Sequence, residues 1–178
     1  MGYGITPYRV SIERLNACFG TSDKAKRSKI KKNCLTRATS IDNLDYNGTA
    51  PKFMDIVEEL LDGKATHGDK YGYLYWYAIE GFIEVLGRPL YNADWYPASA
   101  DIFWEHKDFA PYYLGAPIKI PTPYDAIPVV FVLKNAFITN ELEQSLKSKL
   151  SDNYQSAQVW GWLRDAKRYK QDLVLFYY

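Results

Sequence analysis

Residues Tyr71 to Gly87, YGYLYWYAIEGFIEVLG, place six aromatic rings in seventeen positions with only two charges, Glu80 and Glu84. The spacing of Leu74, Tyr77, Ala78, Gly81, Phe82 and Val85 predicts a helix with a broad apolar side, widened by Trp76 and Ile79 and ended by Gly87. A helix this rich in rings is the organising element of the chain, with its rings either in the core or along an exposed groove. Glu80 and Glu84 lie four residues apart and share a face, which gives the helix either a wet edge or two carboxylates in a cleft.

The remaining pattern mixes helices with a few strands. A short extended piece over Gly4 to Val10 precedes a helix capped by Ser11 and covering Ile12 to Phe19, with Gly20 as its stop. A basic helix follows, starting at Thr21, Ser22 or Asp23, with a thin apolar stripe of Ile30, Cys34 and Leu35. Thr36 to Thr49 is poor in apolar residues and rich in Asn, Asp, Thr and Gly, and reads as a loop. A helix over Pro51 to Leu61 presents Phe53, Ile56, Val57, Leu60 and Leu61 on one side. The prolines between Arg88 and Thr122 break regular structure, so an irregular aromatic wrap is expected there, with a short helix over Ser99 to Trp104.

IPVVFVL, from Ile127 to Leu133, has the β-branched content of a central strand. Thr139 or Asn140 opens a helix to Leu150, a further helix covers Tyr154 to Tyr169, and DLVLFYY from Asp172 to Tyr178 reads as a strand covered on both faces or lying centrally. The expected fold class is α+β, a small central sheet of about three or more strands with five or six helices packed on it. A three-layer α/β arrangement is the alternative. A chain of 178 residues can bury a core of its own, and residues 1–178 are expected to form a single compact α+β domain.

Two cysteines far apart, Cys18 and Cys34, read as reduced, partly buried thiols. No stretch approaches the length of a membrane span, and the opening residues carry no secretory pattern, so a cytoplasmic location without membrane contact is expected. Glycine-rich phosphate loops, dinucleotide fingerprints, serine elbows and paired-cysteine zinc spacings are all missing, and no cofactor or metal is expected.

Charge is nearly balanced at +1 but unevenly placed. Lys24, Lys26, Arg27, Lys29, Lys31, Lys32 and Arg37 face one acid, Asp23, so Thr21 to Ala38 carries +6 and the remainder −5. Such a run is either a solvated helix face or a footprint for phosphates.

GYGITPYRVSIERLNACFGTSD at the start, HGDKYGYLYWYAIEGFIEVLG in the middle and WLRDAKRYKQDLVLFYY at the end resemble, in that order, a group of small bacterial domains catalogued as a family of unknown function. The resemblance implies a single bacterial domain and carries no catalytic residue or substrate with it.

Three functions are expected in order. The first is a non-enzymatic protein-binding or accessory module, of the immunity type, whose aromatic groove of Tyr73, Trp76, Trp95, Tyr96 and Trp104 receives another protein, since rings bring large contact area at low rotamer cost. The second is a small hydrolase or transferase in which His67 or His106 works beside a carboxylate, with Glu80, Glu84, Asp101 or Glu105 as partner. The third is nucleic-acid binding by the basic helix.

Overall fold

The computed structural model describes residues 4–45, 47–93, 118–119, 128–147 and 154–178. In chain order the elements are β1 (Ile5–Val10), α1 (Ile12–Asn16), α2 (Lys24–Asp42), α3 (Phe53–Leu61), α4 (Gly68–Leu86), β2 (Arg88–Pro89), β3 (Val129–Leu133), a 3-10 turn (Asn135–Phe137), α5 (Asn140–Lys147), α6 (Tyr154–Tyr169) and β4 (Asp172–Tyr177). The fold class is α+β. The Ser99 to Trp104 helix falls outside the described residues. No helix among them is long and apolar enough to cross a membrane.

The chain divides into two compact units, one of Met1–Ile12, Gly87–Pro117 and Val129–Tyr178, the other of Glu13–Leu86 and Ile118–Pro128. The first contains a four-stranded sheet of order β2-β1-β4-β3. Every pairing among the described residues is antiparallel, which fits α+β and not the three-layer α/β alternative. β4 lies between β1 and β3, with Val174 opposite Tyr8 on one side and Val132 on the other. That central position accounts for its unbroken apolar run, since Leu173 to Phe176 are all buried. β3 begins only after Pro128, which has no N–H to give to a ladder. β2, which the proline-rich pattern did not suggest, is two residues long and sits at the sheet edge, where Pro89 is tolerated.

One face of this sheet carries Ile5, Phe131, Leu133, Leu173 and Leu175, packed with Leu146 of α5 and Val159, Trp162, Leu163 and Ala166 of α6. The 3.6-residue period of α6 puts the last four on one side, so the helix lies flat on the strands. Lys170, with φ of 52°, ends α6 in the left-handed region, and Gln171 N–H donates to Ala166 O. Asp172 then accepts the N–H of Ile12 and of Asn135, tying the starts of α1 and the 3-10 turn to the head of β4.

The second unit is a trio of mutually packed helices, α2, α3 and α4. α2 is longer than its sequence suggests: the expected loop from Thr36 instead continues as helix to Asp42. Ala38 and Ile41 extend the buried stripe of Ile30 and Cys34 at helical spacing, and that burial overrides the weak helix propensity of Thr36, Thr39 and Ser40. Asp23 caps the N-terminus by accepting the Lys26 N–H. α2 approaches α4 closely at Gly81, where an added Cβ would come within 2.7 Å of the Cys34 sulfur. Burial pushes the Cys34 thiol up to about 12, and both cysteines are free and buried. α4 starts earlier than expected, at Gly68, and bends at Tyr71, whose φ and ψ of −126° and 37° leave the helical region.

Candidate functional site

The aromatic residues of α4 divide. Trp76 is buried, at 5% exposure, among the core side chains. Tyr73 is half-buried and meets Tyr77 edge to face at 6.4 Å. Trp95, Tyr96, Trp104 and His106, like Asp101 and Glu105, lie outside the described residues.

Glu80 and Glu84 do share a face, and both are held by Arg37 of α2. Its guanidinium meets Glu80 at 2.6 Å and Glu84 at 2.7 Å. The Asn33 amide adds bonds to Glu84 and to the Gly81 carbonyl. Glu80 is only 3% exposed, so Arg37 and the carboxylates form a partly buried lock between α2 and α4. A carboxylate withdrawn from water in this way needs its partner to stay ionised at tolerable cost.

His67 sits beside a carboxylate, but that carboxylate is Glu59 of α3. Its Nδ1 lies 2.8 Å from Glu59 Oε1, and the imidazole edge is open to solvent. Glu59 also accepts from the Thr66 N–H, the Thr66 hydroxyl and the Tyr75 hydroxyl, while Tyr75 in turn accepts the His67 N–H. Burial pushes Glu59 up, yet the bonds from Thr66 and Tyr75 outweigh it and hold the carboxyl below its ordinary value. Burial and the Glu59 carboxylate push the Tyr75 phenol up to about 12. The cluster fastens the turn between α3 and α4. Replacing Glu59 by glutamine removes charge from these bonds and is expected to cost about 1–2 kcal/mol at neutral pH. A group depressed in the native state contributes stability that is complete above its ordinary pKa of 4.5 and fades as pH falls through the native value. Urea titrations across acid pH should therefore show the two proteins converging below that value.

The seven cations of α2 divide as well. Arg27 bridges to Glu58 at 3.1 Å and to Asp62 at 2.8 Å, and it donates to the Leu61 carbonyl at the end of α3. Lys31 pairs with Glu58, and Arg37 is the lock already described. Lys24, Lys26, Lys29 and Lys32 make no ion pair among the described residues. Lys24, Lys26 and Arg27 occupy the first turn, which holds no acid. That is the positive pole of the helix, where carboxylates stabilise and cations do not.

Leu35 does not belong to the buried stripe: it points outward and is 63% exposed. Lys24, Ser28, Lys31 and Leu35, at i, i+4, i+7 and i+11, form one ridge of α2. With Lys32 and with Met54 of α3 this ridge lines an open groove of about 520 Å³. A second cavity, of about 540 Å³, lies at the other end of α2 beside Asp42, Asp45, Lys52 and Tyr73. Its carboxylates are already engaged: Asp45 accepts from Asn47 and Ala50, and Asp42 accepts from Phe53 and faces Lys52 at 3.7 Å. Among the described residues no three His, Cys, Asp or Glu side chains converge as a metal site would require.

Two contributors escaped the sequence reading. Glu59 is one acid among several on α3, and only the return of the chain at Thr66 and His67 marks it. Met54 is not among the apolar residues that the sequence places on one side of α3.

The model of the family described as Domain of unknown function (DUF7691) matches residues 1–178. The chain belongs to that family. No curated protein and no solved structure matches it.

Proposed function

For this member of the DUF7691 family we propose a non-enzymatic binding module that recognises an anionic macromolecular partner through the outward face of α2. The observation that carries this reading is the set of four lysines, Lys24, Lys26, Lys29 and Lys32, without an acidic partner among the described residues. Two of them, Lys24 and Lys26, stand in the first turn at the positive pole of the helix, where cations are locally unfavourable, and a cluster of unneutralised charge on one helix suits a binding surface. Interfacial charge of this kind accelerates encounter and selects partners of opposite sign. Among the described residues no ion pair engages these four ammonium groups.

The test is partner capture with the intact chain and with a variant carrying glutamine at all four positions. Lys24, Lys29 and Lys32 are exposed and Lys26 is half-buried; exposed lysines contribute within about 0.5 kcal/mol to folding, so the variant should melt close to the wild type. Its affinity for the captured partner is expected to fall by roughly tenfold or more at low salt, with a much flatter salt dependence. An unchanged affinity and slope would reject the reading.

A second reading, a hydrolase or transferase, has one observation in its favour: the hydrogen bond between His67 Nδ1 and Glu59 turns the other ring nitrogen outward. The same carboxylate binds Thr66 and Tyr75, so a clamp on the turn explains the cluster without substrate. The Thr66 hydroxyl lies 3.1 Å from Nδ1, but it donates to Glu59 on the side of the ring that the carboxylate already holds, which fits a clamp better than an activated nucleophile.

A further inference from the structure

Resting on the proposed reading of α2, we infer that the partner is an acidic protein segment that seats one large apolar side chain in the groove between α2 and α3, with its carboxylates on Lys24 and Lys32. The apolar part of the groove is its Leu35 end, faced by Met54, while Lys24 lies at the other end of the ridge and Lys32 beside Leu35. Leu35 leaves most of its surface in water, and Met54 stands half-buried across from it. An exposed leucine beside a half-buried methionine gains by being covered, and methionine adapts its shape to an inserted side chain.

Charge complementarity decides what covers it. Arg27 and Lys31 reach into the groove, but Glu58 and Asp62 already neutralise them from the α3 side. The cations left for a ligand are Lys24 at one end of the ridge and Lys32 beside Leu35. A positive point beside the apolar end and a second one at the far end of the ridge match a peptide in which a large apolar residue neighbours one Asp or Glu and a further Asp or Glu lies at a distance along the chain. A polynucleotide fits less well for two reasons. The groove has no aromatic ring among its described residues on which a base could stack. A phosphate backbone would also leave the apolar surface of Leu35 and Met54 uncovered.

A library of short random peptides displayed and selected on the intact chain tests the inference, with an oligothymidylate and a short DNA duplex as competitors. The expected result is a consensus of one large apolar residue with an acidic residue beside it and a second acidic residue farther along. The selected peptides should bind roughly tenfold or more weakly to Leu35→Gln and to a Lys24→Gln/Lys32→Gln double variant, and resist both DNA competitors. Both variants change exposed side chains and should keep the wild-type melting curve. Acidic peptides without an apolar anchor, or binding indifferent to Leu35→Gln, would overturn this inference while leaving the charge reading intact. Salt-dependent DNA binding without peptide enrichment would likewise overturn it in favour of phosphate recognition. Selected peptides that lack acidic residues or ignore the lysine substitutions would overturn both, as would a chain that enriches no peptide and binds no DNA.

Discussion

Replacing Arg37 by methionine is expected to lower the unfolding free energy by about 3 kcal/mol, the lower part of the range for breaking a buried ion pair. The lower part applies because Arg37 and Glu84 retain some solvent, with side chains 25% and 29% exposed, whereas Glu80 is at 4%. The cost arises mainly from Glu80, which would be left as a carboxylate with neither water nor its guanidinium. A compensating change should therefore recover most of the loss. Arg37→Met combined with Glu80→Met replaces both charges by apolar groups of comparable length, and the pair is expected to regain about 2 kcal/mol relative to the single variant. Urea denaturation of the single and double variants reads this directly. If Arg37→Met alone unfolds at the wild-type midpoint, the contact is a surface pair and does not hold α2 to α4.

Replacing Trp162 by alanine is expected to have the larger effect, about 3–5 kcal/mol, in the sheet-containing unit. Trp162 is 2% exposed and belongs to the cluster that joins α6 to β1, β3 and β4. Its indole N–H also donates to the Tyr91 carbonyl at 2.6 Å. Alanine at this position removes both the ring contacts and the donor. Phenylalanine keeps much of the apolar volume and loses the donor, so Trp162→Phe should cost less, about 1–2 kcal/mol. Hydrogen exchange of the β4 amides discriminates the two effects: protection should drop sharply in Trp162→Ala and modestly in Trp162→Phe.

Much of this architecture is legible in the residues because burial leaves a period. Val159, Leu163 and Ala166 recur at helical spacing, and α6 spans Tyr154–Tyr169, the limits that spacing predicts. β4 is a near-continuous apolar run because strands flank it on both sides. The end of α2 is different. Thr36 to Asp42 is polar enough to suggest a loop, and only two apolar residues, Ala38 and Ile41, meet the core there. What extends the helix is tertiary, including the ion pairs of Arg37, and such contacts leave no mark in local composition.

The candidate site shows the same limit. Seven cations in one segment are plain in the sequence, but which of them are neutralised depends on Glu58, Asp62, Glu80 and Glu84, contributed by other helices. Leu35 neighbours Cys34, and the stripe beneath the lysines can be drawn through either. The packing of α2 on α3 and α4 buries Cys34 and leaves Leu35 outside. Glu59 and His67 are eight residues apart with a turn between them, so their hydrogen bond belongs to the path of the chain and not to any spacing rule.

The most direct measurement of the central claim is a residue-by-residue map of backbone amide shifts as the captured partner is titrated into the labelled chain. Binding through the outward face of α2 predicts that the largest changes fall on Lys24 to Leu35 and Met54, and that they shrink as salt is raised. Changes concentrated instead around Leu90, Tyr91 and Trp162 of the sheet unit, with Lys24 to Leu35 unmoved, would contradict it.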